Sequence, residues 1–221
     1  MQAITQAFGE VIIPRPTPEQ QAEAEAYFER ERQRVHRERV ERARIPERYR
    51  GATLDGMPGL KAWASAFGAR KCEKPETSLL LSGCPGSGKT WAACAILNEV
   101  VDVCPVRFAS VPDVLGDLHA SWDGMSREAD VFAKYEGVRL LVLDDLGKGK
   151  PTATSVEALF RIVDERYRQS RPTVYTTQYG SAELVRRLTV QGDAETAKAI
   201  VSRLSECVAV NAGSVDRRRH G

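Results

Sequence analysis

Gly83-Cys84-Pro85-Gly86-Ser87-Gly88-Lys89-Thr90 spells G-x-x-x-x-G-K-T. Glycines at this spacing let the backbone wrap closely round an anion, and the N–H groups where the loop enters a helix point at it. Lys89 is long enough to reach β- and γ-phosphates, and Thr90 offers a hydroxyl to Mg²⁺. The same letters in isolation would be a glycine-rich turn with a chance lysine. Here the flanks supply the required context. Leu79-Leu80-Leu81 reads as a buried strand before the loop, and Trp91 to Val101 as a helix after it. Residues 83–90, with Trp91 at the exit, are therefore expected to bind a nucleoside triphosphate, ATP, together with Mg²⁺.

A second constellation completes such a site. Arg139-Leu140-Leu141-Val142-Leu143-Asp144-Asp145 is an apolar run that ends in two acids. A strand delivering a carboxylate beside a P-loop is the Walker B arrangement, so Asp144 is expected to hold Mg²⁺ opposite Thr90. Asp145, one step on, would orient or activate the attacking water. Thr173-Val174-Tyr175-Thr176-Thr177-Gln178 is another strand with a polar tip. A side-chain amide there can hold the lytic water, which makes Gln178 the candidate and Thr177 the next; the competing reading is an ordinary strand-to-turn transition.

The elements that position these groups alternate along the chain. Strands are expected at 78–82, 106–110, 140–144, 173–177 and 207–210, and helices at 89–101, 111–121, 155–169, 181–188 and 194–204. Alternation of this kind predicts an α/β fold with a five-stranded parallel sheet flanked by helices. A turn-rich segment, Asp55-Gly56-Met57-Pro58-Gly59, and a helix from about 60 to 67 are expected before the first strand, with a polar linker at 71–76.

The chain of 221 residues is long enough for one ordinary domain and an appendage, and its net charge of +2 is nearly balanced. Any nucleic-acid contact must then come from a local patch. Five cysteines in no C-x-x-C pair suggest reduced, packed thiols in the cytoplasm. No apolar stretch approaches a membrane span, and no basic and apolar leader opens the chain. The three histidines have no ligand spacing. Pro14, Pro16 and Pro18 mark an extended tail. Residues 19–44 follow, rich in Glu, Arg and Ala, and read as a charged helix stopped by Pro46. Glu29/Arg32, Glu31/Arg34 and Glu38/Arg42 are at ion-pairing distance along it. Tyr27, Phe28, Val35 and Val40 form a thin apolar stripe, which suits either a solvated helix or a docking helix. Two domains are expected: 1–44, tail and docking helix, and 45–221, the ATPase.

These residues, taken together, resemble the AAA+ ATPases, and more narrowly the DnaC-type helicase loaders and IstB-type transposition ATPases. The resemblance rests on Walker A, on Asp144-Asp145-Leu146-Gly147, on the strand ending Thr-Thr-Gln and on Val201-Ser202-Arg203-Leu204. It rests also on the entry Ile45-Pro46-Glu47-Arg48-Tyr49 with Ala52-Thr53-Leu54, and on Phe108 to Leu115. It covers about residue 45 onward. It implies that Arg203 is an arginine finger serving a neighbouring subunit, so that the protein self-associates. It implies a nucleotide-sensing arginine near Arg217, or Arg218 in the other register, and a reduced or absent C-terminal lid, with Tyr49–Leu54 closing the adenine side. It implies an ATP-dependent loader that places a hexameric replicative helicase on single-stranded DNA during replication initiation; short N-terminal arms fit phage or prophage loaders. Two alternatives stand beside it: a DNA-targeting helper of a transposase, and an ATP-switched adaptor with negligible hydrolysis. Asp145 in place of a longer glutamate keeps the last one open.

One candidate DNA contact follows from the same resemblance, Phe108, and the others from the residues themselves. Phe108 either stacks a base or packs in the core. Lys148 and Lys150, in Gly-Lys-Gly-Lys, either contact phosphates or belong to a solvated turn. Trp122 is a further stacking candidate.

Overall fold

The computed structural model describes residues 17–69 and 77–213. It divides into two units, Met1–Glu38 and Arg39–Gly221. The sequence placed this division at 44/45. The difference has a packing reason: Val40, Ala43 and Ile45 are buried among the hydrophobic residues of the second unit, and Ala43 O accepts a hydrogen bond from Phe108 N at 2.7 Å.

In the first unit lies most of helix α1 (Pro18–Arg42). Its charges pair along the helix, with Arg34 donating to Glu31 and Glu38 at 2.5 Å each and Arg32 reaching Glu29 at 3.2 Å. Tyr27 and Phe28 are exposed and meet edge to face, with ring centroids 5.8 Å apart. The helix ends at Arg42, before Pro46; Arg44 turns the chain in a left-handed conformation (φ 55°), so that Ile45 points into the core.

The second unit continues with α2 (Pro58–Ala69), β1 (Leu79–Ser82), α3 (Lys89–Val100), β2 (Val106–Ser110), α4 (Val111–Trp122) and α5 (Glu128–Glu136). Then come β3 (Leu140–Leu146), α6 (Ala153–Arg168), β4 (Thr173–Thr177), α7 (Ser181–Leu188), α8 (Glu195–Ser205) and β5 (Val208–Asn211). The five strands form one parallel sheet in the order β2-β3-β4-β1-β5, as the alternating pattern predicted. Parallel strands are covered on both faces, which is why β1 and β3 read as continuous apolar runs. Side chains alternate between two cores. Leu79, Leu81, Leu140, Val142 and Val174 join α2 and α3 on one face; Leu141, Leu143 and Tyr175 join α4 to α8 on the other.

Helix α5 was not expected. Its nine residues bury Val131, Phe132 and Tyr135, too short an apolar pattern to show among charges. Two capping boxes, Ser110 with Asp113 and Thr152 with Ser155, start α4 and α6. Arg166 of α6 is fully buried and holds the base of the sheet together. Its guanidinium donates to Thr173 Oγ1 and to the carbonyls of Tyr135, Glu136, Val138 and Pro172 at 2.6–3.3 Å.

β3 departs from the expected strand. It runs two residues past Asp144, and its register with β4 shifts between Leu143 and Leu146. The extra length is a bulge at the two acids, with Asp145 in the left-handed region (φ 58°).

Candidate nucleotide site

The P-loop joins β1 to α3 at the C-terminal edge of the sheet, where ligands bind in open α/β folds. Its backbone needs glycine. Gly83 has φ 149°, and a Cβ there would sit 2.8 Å from both Gly213 O and Ser87 Oγ; Gly88 caps α3 with φ 94°. Lys89 is buried beneath the loop and donates to Gly83 O at 2.9 Å and Cys84 O at 2.8 Å. Ser87 Oγ is buried without a hydrogen-bond partner. A buried cation, an unsatisfied hydroxyl and a helix N-terminus in one loop form a cradle that a polyphosphate fits.

Asp144 faces this cradle from the neighbouring edge. Only 7% exposed, it accepts from Thr90 Oγ1 at 3.1 and 3.2 Å and from Thr176 Oγ1 at 2.7 Å. Burial raises its carboxyl above the ordinary carboxylate value, and the charge of Asp145 raises it further; the bonds from Thr176 and Thr90 act the other way. Hard oxygen donors on Thr90 and Asp144, side by side, suit Mg²⁺, which is usually held by one or two protein oxygens plus substrate phosphates. Thr176 was missed by sequence reasoning. It lies one residue before Thr177 on β4, and only the strand order puts β4 between β1 and β3.

Asp145, Lys148 and Gln178 line the same cleft, of about 820 Å³. Asp145 N donates to Thr176 Oγ1 at 2.8 Å, and Lys148 Nζ donates to Asp145 Oδ2 at 2.6 Å. Gln178 Nε2 donates to Tyr179 Oη at 2.5 Å. Thr177 turns inward instead, its hydroxyl donating to Leu146 O at 2.9 Å. Lys148 thus stands in the nucleotide cleft as well as on the surface, which the basic-loop reading did not foresee.

The other end of the cleft is apolar, with Tyr49, Met57, Trp63 and Val210 among its walls. Trp91 Nε1 donates to Thr53 O at 3.2 Å, and its ring meets Tyr49 edge to face. Asn98 of α3 donates to the carbonyls of Tyr49, Arg50 and Ala52 at 3.0–3.2 Å, fixing residues 49–54 as a strap. Met57, Trp63 and Val210 carried no local signal; the first two come from α2 and the residue before it, and Val210 is brought to them by β5 at the far end of the chain.

Other candidates lie elsewhere. Arg203, near the end of α8, does not line the nucleotide cleft. It pairs with Asp164 of α6 at 2.8 Å and shares a small cleft with Tyr167, Arg171 and Cys207. Phe108 is corrected: it is 7% exposed and packed in the core beside α3, so its ring has no free face for a base. Lys150 and Trp122 are exposed, and Trp122 donates through Nε1 to Glu128 at 3.3 Å. Arg217, Arg218 and the linker 71–76 lie outside the described residues. Among the described residues no helix is long and apolar enough to cross a membrane.

Comparison with known proteins agrees with this geometry. Residues 71–220 match the model of the IstB-like ATP binding protein family. The chain is 32% identical over 117 residues to YqaM of Bacillus subtilis (strain 168), covering 50% of this chain and 36% of YqaM. It is 30% identical over 115 residues to the replicative helicase loader DnaC of Escherichia coli (strain K12), covering 50% of this chain and 46% of DnaC. An ATP-binding protein of insertion sequence IS1162 from Pseudomonas fluorescens is 30% identical over 142 residues, 62% of this chain and 56% of that one. These matches span about half the length of the relatives or less. A crystal structure of the DnaC helicase loader superposes with a TM-score of 0.60 at 24% identity, over 77% of this chain and 100% of that one, a likeness of fold. On the family match and this fold, the chain belongs to the IstB-like ATP-binding proteins and carries their P-loop AAA+ core.

Proposed function

We propose that the protein is an ATP- and Mg²⁺-dependent loader that places a hexameric replicative helicase on single-stranded DNA, acting in the cytoplasm. The observation that carries the reading is the cleft in which Lys89, Thr90, Asp144, Asp145 and Gln178 converge from three adjacent strand ends. Lys89 and the loop amides bind the phosphates. Thr90 and Asp144 would hold Mg²⁺, which when bound offsets phosphate charge. Gln178 orients a water, and Asp145 accepts its proton as the oxygen attacks the γ-phosphorus. The bond from that phosphorus to the bridging oxygen breaks, and ADP and phosphate leave.

Arg203 lies outside its own subunit's nucleotide cleft, paired with Asp164, and a role at a neighbour's site would make the rate depend on assembly. Trans arginines contribute roughly 10³–10⁵ in rate in other NTPases. The charged helix, with the exposed Tyr27 and Phe28, is the docking element for the helicase. A second reading, a helper that targets a transposase to DNA, is supported by the relative from insertion sequence IS1162.

The test combines turnover and loading. With single-stranded DNA circles and a purified hexameric helicase, the protein should deliver active helicase only with ATP. Lys89→Ala should lose nucleotide binding. Arg203→Ala should keep binding and lose stimulated turnover; normal stimulated turnover in that variant removes the trans arginine. Preference for duplex DNA and capture of a transposase would move the protein to the second reading, and negligible turnover under all conditions to an ATP-switched adaptor.

A further inference from the structure

Both backbone polar groups of Asp145 are hydrogen-bonded. Its N–H is bound to Thr176 Oγ1 at 2.8 Å, and its carbonyl accepts from Lys148 N at 3.2 Å. Gly147, two residues on, is enclosed: a Cβ there would lie 2.6 Å from Leu184 Cδ1, and Gly147 O accepts from Arg187 Nε at 2.7 Å. Asp145 keeps φ 58°, an uncommon conformation for a non-glycine residue, which aspartate tolerates better than most. With the backbone fixed, the direction of the carboxylate is set by its side-chain partner. That partner is Lys148 Nζ, 2.6 Å from Oδ2, on a side chain 67% exposed. Gly149 follows with φ 89° and open space where a Cβ would stand, and exposed Lys150 adds a second cation to the turn.

We infer that Lys148 is a positioning residue for Asp145: its ammonium holds the carboxylate away from the lytic water, and a phosphate of single-stranded DNA that takes the ammonium releases it. This rests on the reading of Asp145 as the group that accepts the water's proton. Nucleic-acid binding and hydrolysis would then be coupled through one ion pair, with Lys148 shared between the DNA phosphate and the acid. The coupling is modest by construction, since a half-exposed pair biases a carboxylate's position by a small factor.

The experiment is steady-state ATP turnover by the full chain and by Lys148→Ala and Lys148→Arg, each with and without an oligothymidylate, with ATP affinity measured separately by calorimetry. Lys148→Ala should raise basal kcat about two- to fivefold, the factor an exposed ion pair can supply, leave ATP affinity unchanged and lose the response to oligothymidylate. Lys148→Arg should restore both the low basal rate and the response. A basal rate that falls in Lys148→Ala would make the ammonium a phosphate ligand of ATP and overturn the inference, as would an unchanged rate or a fully retained DNA response. Turnover absent from the wild type and from Lys148→Ala alike would remove the hydrolysis reading itself and this inference with it. A Lys148→Ala protein that is active where the wild type is silent would support the restraint.

Discussion

Replacing Asp144 by asparagine should stabilise the protein without ligands and weaken it relative to wild type with them. Asp144 is a buried carboxylate with two hydroxyl donors and a second carboxylate next to it in sequence. Its carboxyl is raised above the ordinary value by burial first and then by Asp145. A group raised in the folded state contributes stability that is complete below its unfolded value, about 3.9, and is lost as pH rises through the folded value. At neutral pH the fold therefore carries this ionised group at a cost. Asparagine keeps the shape and removes the charge. A gain of about 1 kcal/mol is expected, or about 2–4 °C in Tm for a chain of this size. The gap should close as pH falls, because the wild-type group becomes protonated. Mg²⁺ with a non-hydrolysable ATP analogue should invert the order. A ligand at a hundredfold excess over its Kd adds about 2.7 kcal/mol, and the asparagine variant forfeits the Mg²⁺-dependent share. Differential scanning calorimetry from pH 4 to 8, with and without Mg²⁺ and analogue, reads both effects. A variant that melts at or below the wild type at pH 7 without ligand would refute the reasoning, because Asp144 would then be stabilising through its two threonine bonds.

Two further outcomes test the frame around the site. Arg166→Met removes a buried guanidinium, its pKa pushed down to about 9 by burial, from a hydroxyl and four carbonyls. Leaving buried carbonyls unpaired costs about 1–3 kcal/mol each, so a loss of at least about 2 kcal/mol by urea denaturation is expected, and a loss below about 1 kcal/mol would mean that water replaces the guanidinium without penalty. Gly147→Ala meets both a positive φ and Leu184 Cδ1 at 2.6 Å. About 1–3 kcal/mol of destabilisation is expected, with reduced turnover because Asp145 lies in the same bulge; an unaffected protein would show that the turn can move.

Much of this protein was set by local chemistry and could be read without coordinates. The P-loop announces itself because phosphate binding needs glycines, a lysine and a helix start in consecutive positions. β1 and β3 announce themselves because a parallel strand is buried on both faces, and the helices between the strands because the two kinds of segment alternate. Locality is also the limit. The bulge at Asp144–Asp145 arises from the pairing of β3 with β4, and nothing in Leu-Asp-Asp-Leu marks a left-handed aspartate. Thr176 becomes a partner of Asp144 only because β4 lies between β1 and β3. Phe108 has the composition of a stacking residue and the position of a core residue, and packing decided between them. Trp63 and Met57, from α2 and the residue before it, meet Val210 of β5, from the far end of the chain, at the apolar end of the cleft. The short-range chemistry of phosphate and metal binding was written in the residue order. The side-chain partners of each acid, the shape of the nucleotide cleft and the burial of Arg166 came from tertiary packing, because each depends on groups that only the sheet order brings within hydrogen-bond reach.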